Sequence, residues 1–440
     1  MTPLRIRRED HPVSRKSIDP DTLRVMYKLK DAGYETYLVG GAVRDLLLGR
    51  QPKDFDVATD ARPNDLRRLF RNSRVVGRRF RLVHVFFGGK NVEVATLRSL
   101  VEPPDPEGDL YCEDDNQWGD IESDAFRRDF TINALYYDLR DFSVVDFTGG
   151  VHDLHERVVR AIGNPGVRFQ EDPVRMLRAL KFAGRFGFDL ETETAQAIME
   201  HAGDIHKASR FRVTEEIFRI LSQTNRAAGF DLLWRGGFLH QLYGGWVREL
   251  GDQGLEETLS YYRAVDAAAE QDRFYPLEVL CAGLFVPLMD DLNVDRQHFN
   301  AAAARLTADI RKHSIAMDLP KRLTNSVVEL LRGQLYLLFF PNLQGRVRRF
   351  VESPWFDPVW RVHELAFGQT PELAQVRATW LAAREKLGRP IGGLVESPDR
   401  RDIFSFRGKT GGGRHPHGRG GDEPEDDAEF AEPELVDAGE

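Results

Sequence analysis

The sequence predicts an α+β protein: a head built on one mixed β-sheet, followed by an all-α region. Three observations lead there. Short apolar runs bounded by Gly, Pro and Asp crowd residues 35–98, which is strand punctuation with brief helices between. Beyond about residue 155 the apolar period lengthens to that of amphipathic helices. From residue 405 the chain is Gly-rich and then acidic, a composition that cannot bury a core and reads as disordered.

The first helix is predicted over residues 19–32. Asp19 is its N-cap, Pro20 sits in the first turn, and Gly33 stops it. "YETYLVGG" reads as a short buried strand ending in a glycine turn, and "AVRDLLLG" as a helix closed by Gly49. "KDFDVAT" is the next strand and "RPNDLRRLF" a helix. "SRVVG", "RLVHVFFG" and "NVEVATL" are three further strands. The Pro-, Gly- and acid-rich residues 101–124 read as a surface loop, after which "AFRRDFTINALYYD" and "FSVVDFTGG" complete the sheet module. Helices then run through "EDPVRMLRALKFAGRFGF", "TAQAIMEHAGDIH", "RVTEEIFRILSQ" and "GFDLLWRGGFLHQLY", and on to about residue 385. The expected divisions are 1–34, 35–155, 156–245, 246–404 and 405–440.

Length and charge bound the function. A chain of 440 residues holds two or three domains with a large core. No run approaches the ~20 apolar residues of a membrane helix. Cys112 and Cys281 are far apart in sequence, which points to a reducing cytoplasm and away from a disulfide framework or zinc. The net charge of −9 conceals an asymmetry. Residues 1–100 carry 21 Lys/Arg against 12 Asp/Glu, while residues 413–440 carry 2 Arg against 10 acids. A basic front end suits a polyanionic substrate.

The chemistry concentrates in a few places. On a strand, Asp54 and Asp56 project to one face while Phe55 enters the core. Paired carboxylates call for a cation, and Mg²⁺, which takes oxygen ligands and keeps phosphates bound, is the natural one. Two such ions can activate a hydroxyl and stabilise departing pyrophosphate. Gly40–Gly41 offers backbone N–H groups to phosphate, and Arg44 adds a positive charge one turn on. The bland alternative is two surface acids on an edge strand; the attached glycine turn and arginine argue against it.

Glu93 is a further candidate acid, on a strand expected to neighbour the first, although it reads equally as a solvent-facing strand acid. Asp129 is the stronger candidate because Arg127, Arg128 and Asn133 accompany it; it also reads as a cap or an ion-pair partner. Asp172 is expected to N-cap the helix begun by Pro173. Arg175 and Arg178 lie three apart on that helix, fit either to read a base edge or to form a solvated stripe. Arg78, Arg79 and Arg81 around Phe80 read as an RNA-backbone contact or as a charged loop. His152 and Asp153 suggest a metal phosphohydrolase, but no other His/Asp set supports them.

"YLVGGAVRDLLLG…KDFDVAT", "RRDFTINAL" and "RFQEDPVRMLRALKFAGRFGF" together resemble the signature blocks of the class II template-independent nucleotidyltransferases. That family comprises the tRNA CCA-adding enzymes and the bacterial poly(A) polymerases. The resemblance, over residues 35–190, implies a nucleotidyltransferase head with helical neck, body and tail. It implies Mg²⁺ at Asp54 and Asp56 with Asp129 completing the catalytic acids. Gly41, Arg44, Arg128, Arg175 and Arg178 match nucleotide-holding positions, and Asp172 with Arg175 would read the base.

"VVGRRFRLVHV" and the N-terminal "HPVSRKSIDPDTLRVMYKLKDAGYE" are similar to the poly(A) polymerase branch. The acidic C-terminus departs from the arginine-rich tails of that branch. The implied activity is addition of AMP from ATP to RNA 3′ ends; CCA addition to tRNA is the alternative. A non-catalytic RNA-binding protein on the same fold is a third reading, disfavoured because Asp54, Asp56 and Asp129 are all retained.

Overall fold

In a computed structural model of the chain, the described residues are 2–77, 81–99, 117–289, 298–339 and 344–388. All belong to one unit, Met1–Pro398. Arg78, Arg79, Phe80, Cys112, most of the acidic segment 101–124 and the Gly-rich acidic end lie outside them.

The head begins with strand β1 (Leu4–Ile6), which the apolar pattern does not announce. Helix α1 (Pro20–Asp31) starts where the Asp19–Pro20 signal predicts, with the Asp19 carboxylate accepting from the N–H groups of Asp21 and Thr22. Then follow β2 (Thr36–Val39), α2 (Gly41–Leu47), β3 (Asp56–Thr59), α3 (Pro63–Leu69), β4 (Ser73–Val76), β5 (Leu82–Phe87) and β6 (Lys90–Thr96). Helix α4 (Ile121–Phe126), β7 (Leu135–Asp138), β8 (Val144–Asp146) and α5 (Gly150–Glu156) complete the head.

The strands form one mixed sheet in the order β1-β8-β7-β2-β3-β6-β5-β4, in which β3 and β6 are the parallel pair. Its core-facing side is made of valines with no more than 3% exposure (Val57, Val83, Val85, Val92, Val94), packed with Leu38, Val43 and Leu66. Strand alternation therefore sends the intervening residues of β4, β5 and β6 to the opposite, wetter face. Asp56 and Glu93 sit on that side.

A two-residue strand β9 (Val158–Val159) leads into α6 (Pro165–Glu171) and α7 (Val174–Phe186), and β10 (Asp189–Leu190) returns to pair with β9 in parallel. Next come α8 (Thr192–His201), α9 (Arg210–Leu221), α10 (Arg226–Arg235) and α11 (Phe238–Ala269). Helices α7 and α10 cross so closely that a Cβ on Gly184 would stand 2.7 Å from the Cα of Gly229. Only two glycines allow that approach. Helix α11 breaks stride at Tyr243 and at Gly251, whose φ is +62°.

The remaining helices are α12 (Leu277–Ala282), α13 (Phe299–Ala316), α14 (Lys321–Phe339), α15 (Gln344–Glu352), α16 (Phe356–Phe367) and α17 (Ala374–Lys386). They close on an aromatic cluster of Phe350, Phe356, Trp360 and Trp380. Trp380 donates to the Leu337 carbonyl at 2.9 Å, satisfying its only polar atom.

Candidate active site

Asp56 is the first residue of β3, and Asp54 precedes the strand. The expectation that both acids ride one strand face is corrected on this point: only Asp56 is held by the ladder, and Asp54 reaches the site from the approach loop. The parallel register Val57↔Val94 sets Asp56 beside Glu93 on β6. Glu93 in turn pairs across the strands with His84 of β5, its Oε1 3.2 Å from the His84 Nε2. Partial burial and the charges of Glu93 and Asp54 push the Asp56 carboxyl up to about 7, against the pull of Arg128. Solvent still reaches Asp56. Charge crowding is therefore the part of this shift that bears on chemistry.

A carboxylate crowded by two neighbouring acids, as Asp56 is by Glu93 and Asp54, has need of a cation. No cluster of three or more His, Cys, Asp or Glu stands at metal-holding distance among the described residues. Asp54 and Asp56 themselves offer two carboxylates, oxygen donors only. That fits Mg²⁺, which binds through one or two carboxylates and completes its shell with water and phosphate oxygens.

The antiparallel register Val39↔Asp56 sets the glycine turn beside Asp56. Gly40 adopts φ +66° and ψ −127° at the head of α2, and a Cβ there would lie 3.1 Å from Arg128 Nη1. Gly41 has no such backbone demand, and a Cβ on it would meet Arg44 Nη2 at 3.4 Å. Arg128 donates to Asp124 Oδ2 from Nη2 at 2.9 Å and to the Tyr136 hydroxyl from Nε at 3.0 Å. Burial works against its charge, but Tyr136 and Asp124 outweigh it and raise the guanidinium pKa.

Arg44, expected to add a fixed positive charge one turn beyond the glycines, is only 3% exposed. It donates to Asp45 Oδ1 from Nε at 2.8 Å and from Nη2 at 2.7 Å, pairs with Asn133 Oδ1, and lies over the rings of Phe182 and Phe186. Its observed work is to tie α2 to α7, a tie doubled by Arg185 on Asp45 at 3.2 Å.

Asp129 turns toward the helical region. Its Oδ1 accepts from the Phe130 N–H at 2.9 Å and from Asn133 Nδ2 at 3.3 Å, and its Oδ2 lies 2.6 Å from Arg178 Nη2. Burial alone would raise its pKa, but Arg178 and these hydrogen bonds carry it below the usual carboxylate value. The carboxylate is thereby fixed as an anion.

At the other end of α7, Asp172 closes α6 as its C-cap, and Pro173 occupies the N-cap of α7. The expected N-cap is displaced by one residue because α6 runs up to Glu171. Asp172 Oδ1 still accepts from the Val174 N–H at 3.3 Å, while Oδ2 meets Arg212 Nη2 at 2.7 Å. Arg175 and Arg178 do not act as one pair. Arg175 donates to Glu171 Oε2 at 2.8 Å and to the Arg168 carbonyl at 2.9 Å, whereas Arg178 goes to Asp129.

Sequence reading did not single out Arg168, Arg212, Asp45, Tyr136 or His84. Arg168 donates to the carbonyls of Arg127 and Arg128 at 2.6 and 2.7 Å, clamping the "RRD" turn to α6. His152 and Asp153 are not a hydrolase pair. Asp153 accepts from Thr131 Oγ1 at 2.6 Å and from Arg160 Nε at 3.0 Å, a buried tie under the same turn.

The head-domain model of the poly A polymerases matches residues 36–160. That of the probable RNA and SrmB-binding site of polymerase A matches residues 187–246. Poly(A) polymerase I of Salmonella typhimurium is 38% identical over 380 residues, which span 82% of this chain and 81% of that protein. The chain belongs to the poly(A) polymerase family of class II nucleotidyltransferases.

In sequence, the CCA-adding relatives are similar over less of their length. A CCA-adding enzyme of Lactobacillus helveticus is 40% identical over 199 residues, 44% of this chain and 48% of that one. Among solved structures, the Bacillus stearothermophilus CCA-adding enzyme in complex with CTP superposes with a TM-score of 0.62 at 26% identity, over 86% of this chain and 90% of that one. The chain is therefore a nucleotidyltransferase, with the family's mixed-sheet head and helical domains. No helix among the described residues is long and apolar enough to cross a membrane.

Proposed function

We propose that this enzyme extends RNA 3′ ends with AMP taken from ATP, releasing pyrophosphate, without a template. The observation that carries the reading is the even coverage of poly(A) polymerase I relatives, 82% of this chain and 81% of the relative, where two CCA-adding relatives cover 44% and 57% of this chain and 48% and 61% of their own length. Similarity that continues through the helical region matters because both branches need the same head.

The RNA 3′-hydroxyl attacks the α-phosphate of ATP in line, and the leaving group is pyrophosphate. Asp54 and Asp56 would hold Mg²⁺, which supplies charge neutralisation for the triphosphate and for the developing oxyanions. Glu93, electrostatically coupled to Asp56, is the acid best set to join them. Asp129, Arg178 and Asn133 shape the adjoining wall, and Arg128 with the Gly40–Gly41 turn cradles phosphate. Asp172 and Arg175 read the adenine edge at the start of α7. Because each is already held by a partner, the edge they present costs little ordering when ATP binds.

The test is incorporation. Purified protein with single-stranded RNA and each labelled nucleoside triphosphate in turn should give long products with ATP alone. CCA addition that stops on tRNA lacking its end would install the other branch.

A further inference from the structure

The cross-strand registers place one row of side chains across the sheet, starting at the acids. Asp56 neighbours Glu93, Glu93 lies opposite His84, and His84 lies opposite Arg74 on β4. Two residues along each strand, on the same face, Phe86 lies opposite Asn91. The reverse face carries the buried valines, so the burial pattern of β5 and β6 fixes which side these residues take. Phe86, near the hairpin end of β5, is 46% exposed, high for a phenylalanine on a strand. The His84 ring stands edge-on to it, with centroids 6.4 Å apart. Arg74 and Asn91 are exposed beside it.

An exposed aromatic ring, an arginine and an amide on a wet sheet face are the chemistry of a single-stranded nucleic-acid platform. Bases stack on the ring, and the cation meets the backbone phosphate. The alternative occupant, a protein strand, would add to the β4 edge through backbone groups and would not require the face residues. Charge also points to RNA, since residues 1–100 are strongly basic.

We propose that the solvent face of β4–β5–β6, centred on Phe86 with Arg74 and Asn91, is the platform on which the 3′-terminal nucleotides of the RNA primer stack. It would deliver the terminal hydroxyl along the His84–Glu93 row to Asp56. This rests on the reading of the enzyme as one that extends RNA, and it assigns the part of the surface that holds the primer.

The experiment uses the full chain and single-stranded oligoadenylate as the probe, with KM for RNA and KM for ATP measured separately. Phe86→Ala is expected to raise the RNA KM roughly 5- to 150-fold, the range of one lost base–aromatic stack, with the ATP KM unchanged. Phe86→Tyr is expected to restore it. Arg74→Ala is expected to lower the slope of log affinity against log salt by about 1. Oligoadenylate ending in 4-thiouridine should crosslink to residues 82–93 in the wild type and lose that crosslink in Phe86→Ala. An unchanged RNA KM and crosslink in Phe86→Ala, in an enzyme that extends RNA, overturns the platform alone. Wild-type protein that neither binds nor extends oligoadenylate overturns the RNA reading itself.

Discussion

Asp129 Oδ2 and Arg178 Nη2 are 2.6 Å apart, an ion pair that joins the "RRD" turn of the head to the first long helix after it. Asp129 is nearly enclosed, so its charge depends on that partner. Asp129→Ala is expected to lower stability in urea unfolding by about 1–3 kcal/mol, as for loss of a hydrogen bond to a charged group. Arg178→Met, which leaves the acid buried without its cation, should cost at least as much. Both should slow nucleotide transfer. Variants that unfold like the wild type would show that the pair does not hold the head to the neck.

The two glycines of the phosphate turn should separate by phenotype. Gly40 needs its positive φ and stands against Arg128, so Gly40→Ala is expected to lose about 1–2 kcal/mol. Gly41→Ala has no backbone strain and should retain stability. It nevertheless sets a methyl 3.4 Å from Arg44 Nη2 within the turn proposed to receive phosphate, so its ATP KM should rise at unchanged melting temperature. Thermal melts and ATP kinetics of the two variants side by side test the distinction.

Asp124 gives a pH signature. Burial raises its pKa, but Arg128 and Tyr136 override this and hold it below the ordinary carboxylate value. A depressed folded-state pKa means the unfolded chain binds the proton first as pH falls. The stabilisation is therefore complete above about pH 5 and is lost on acidification below about 4. Asp124→Asn is expected to be less stable at pH 7 and to show a shallower loss between pH 5 and 2, read by urea unfolding at each pH. A parallel decline in both proteins would contradict the pairing.

Mg²⁺ binding at the paired acids should appear without any turnover. Asp56 carries a raised pKa among like charges, so a divalent ion relieves repulsion and stabilises the folded state. Millimolar Mg²⁺ with a non-hydrolysable ATP analogue should raise the wild-type melting temperature by a few degrees. Removal with EDTA should reverse it, and Asp56→Asn should abolish most of the shift. An equal shift in the variant would move the ion elsewhere.

The sequence announces local structure best where a cap or a glycine imposes it. Asp19–Pro20 opens α1, and Gly49 ends α2 at φ +67°. It is silent where a partner comes from far along the chain. Strand β1 has three residues and exists because β8, about 140 positions later, offers an edge. Helix α6, opened by Asn164 and Pro165, is masked by Gly163 before it and Gly166 in its first turn, and its last turn takes from Asp172 the N-cap role that local signals assign it.

The acids show the same division. The Asp-x-Asp spacing suggests a common strand face, but the ladder begins only at Asp56. That Glu93 adjoins Asp56 follows from the parallel β3–β6 register, which alternation within one strand cannot reveal. Arg44 reads as a fixed charge beside the glycine turn, but that it is buried against Phe182 and Phe186, remote in sequence, only the tertiary structure reveals. Arg212 carries no motif of its own, and His84 lies in a branch-like segment that does not reveal its partner; only tertiary contact gives them a role.

The central claim is selective adenylate transfer to RNA. The most direct measurement incubates purified protein with Mg²⁺, a single-stranded RNA and all four nucleoside triphosphates together, then sequences the 3′ ends of the products. The expected result is uninterrupted adenosine tails of varied length, absent in Asp54→Ala. Mixed-base tails, a short CCA end on tRNA with none on the single-stranded RNA, or extension that survives Asp54→Ala would contradict it.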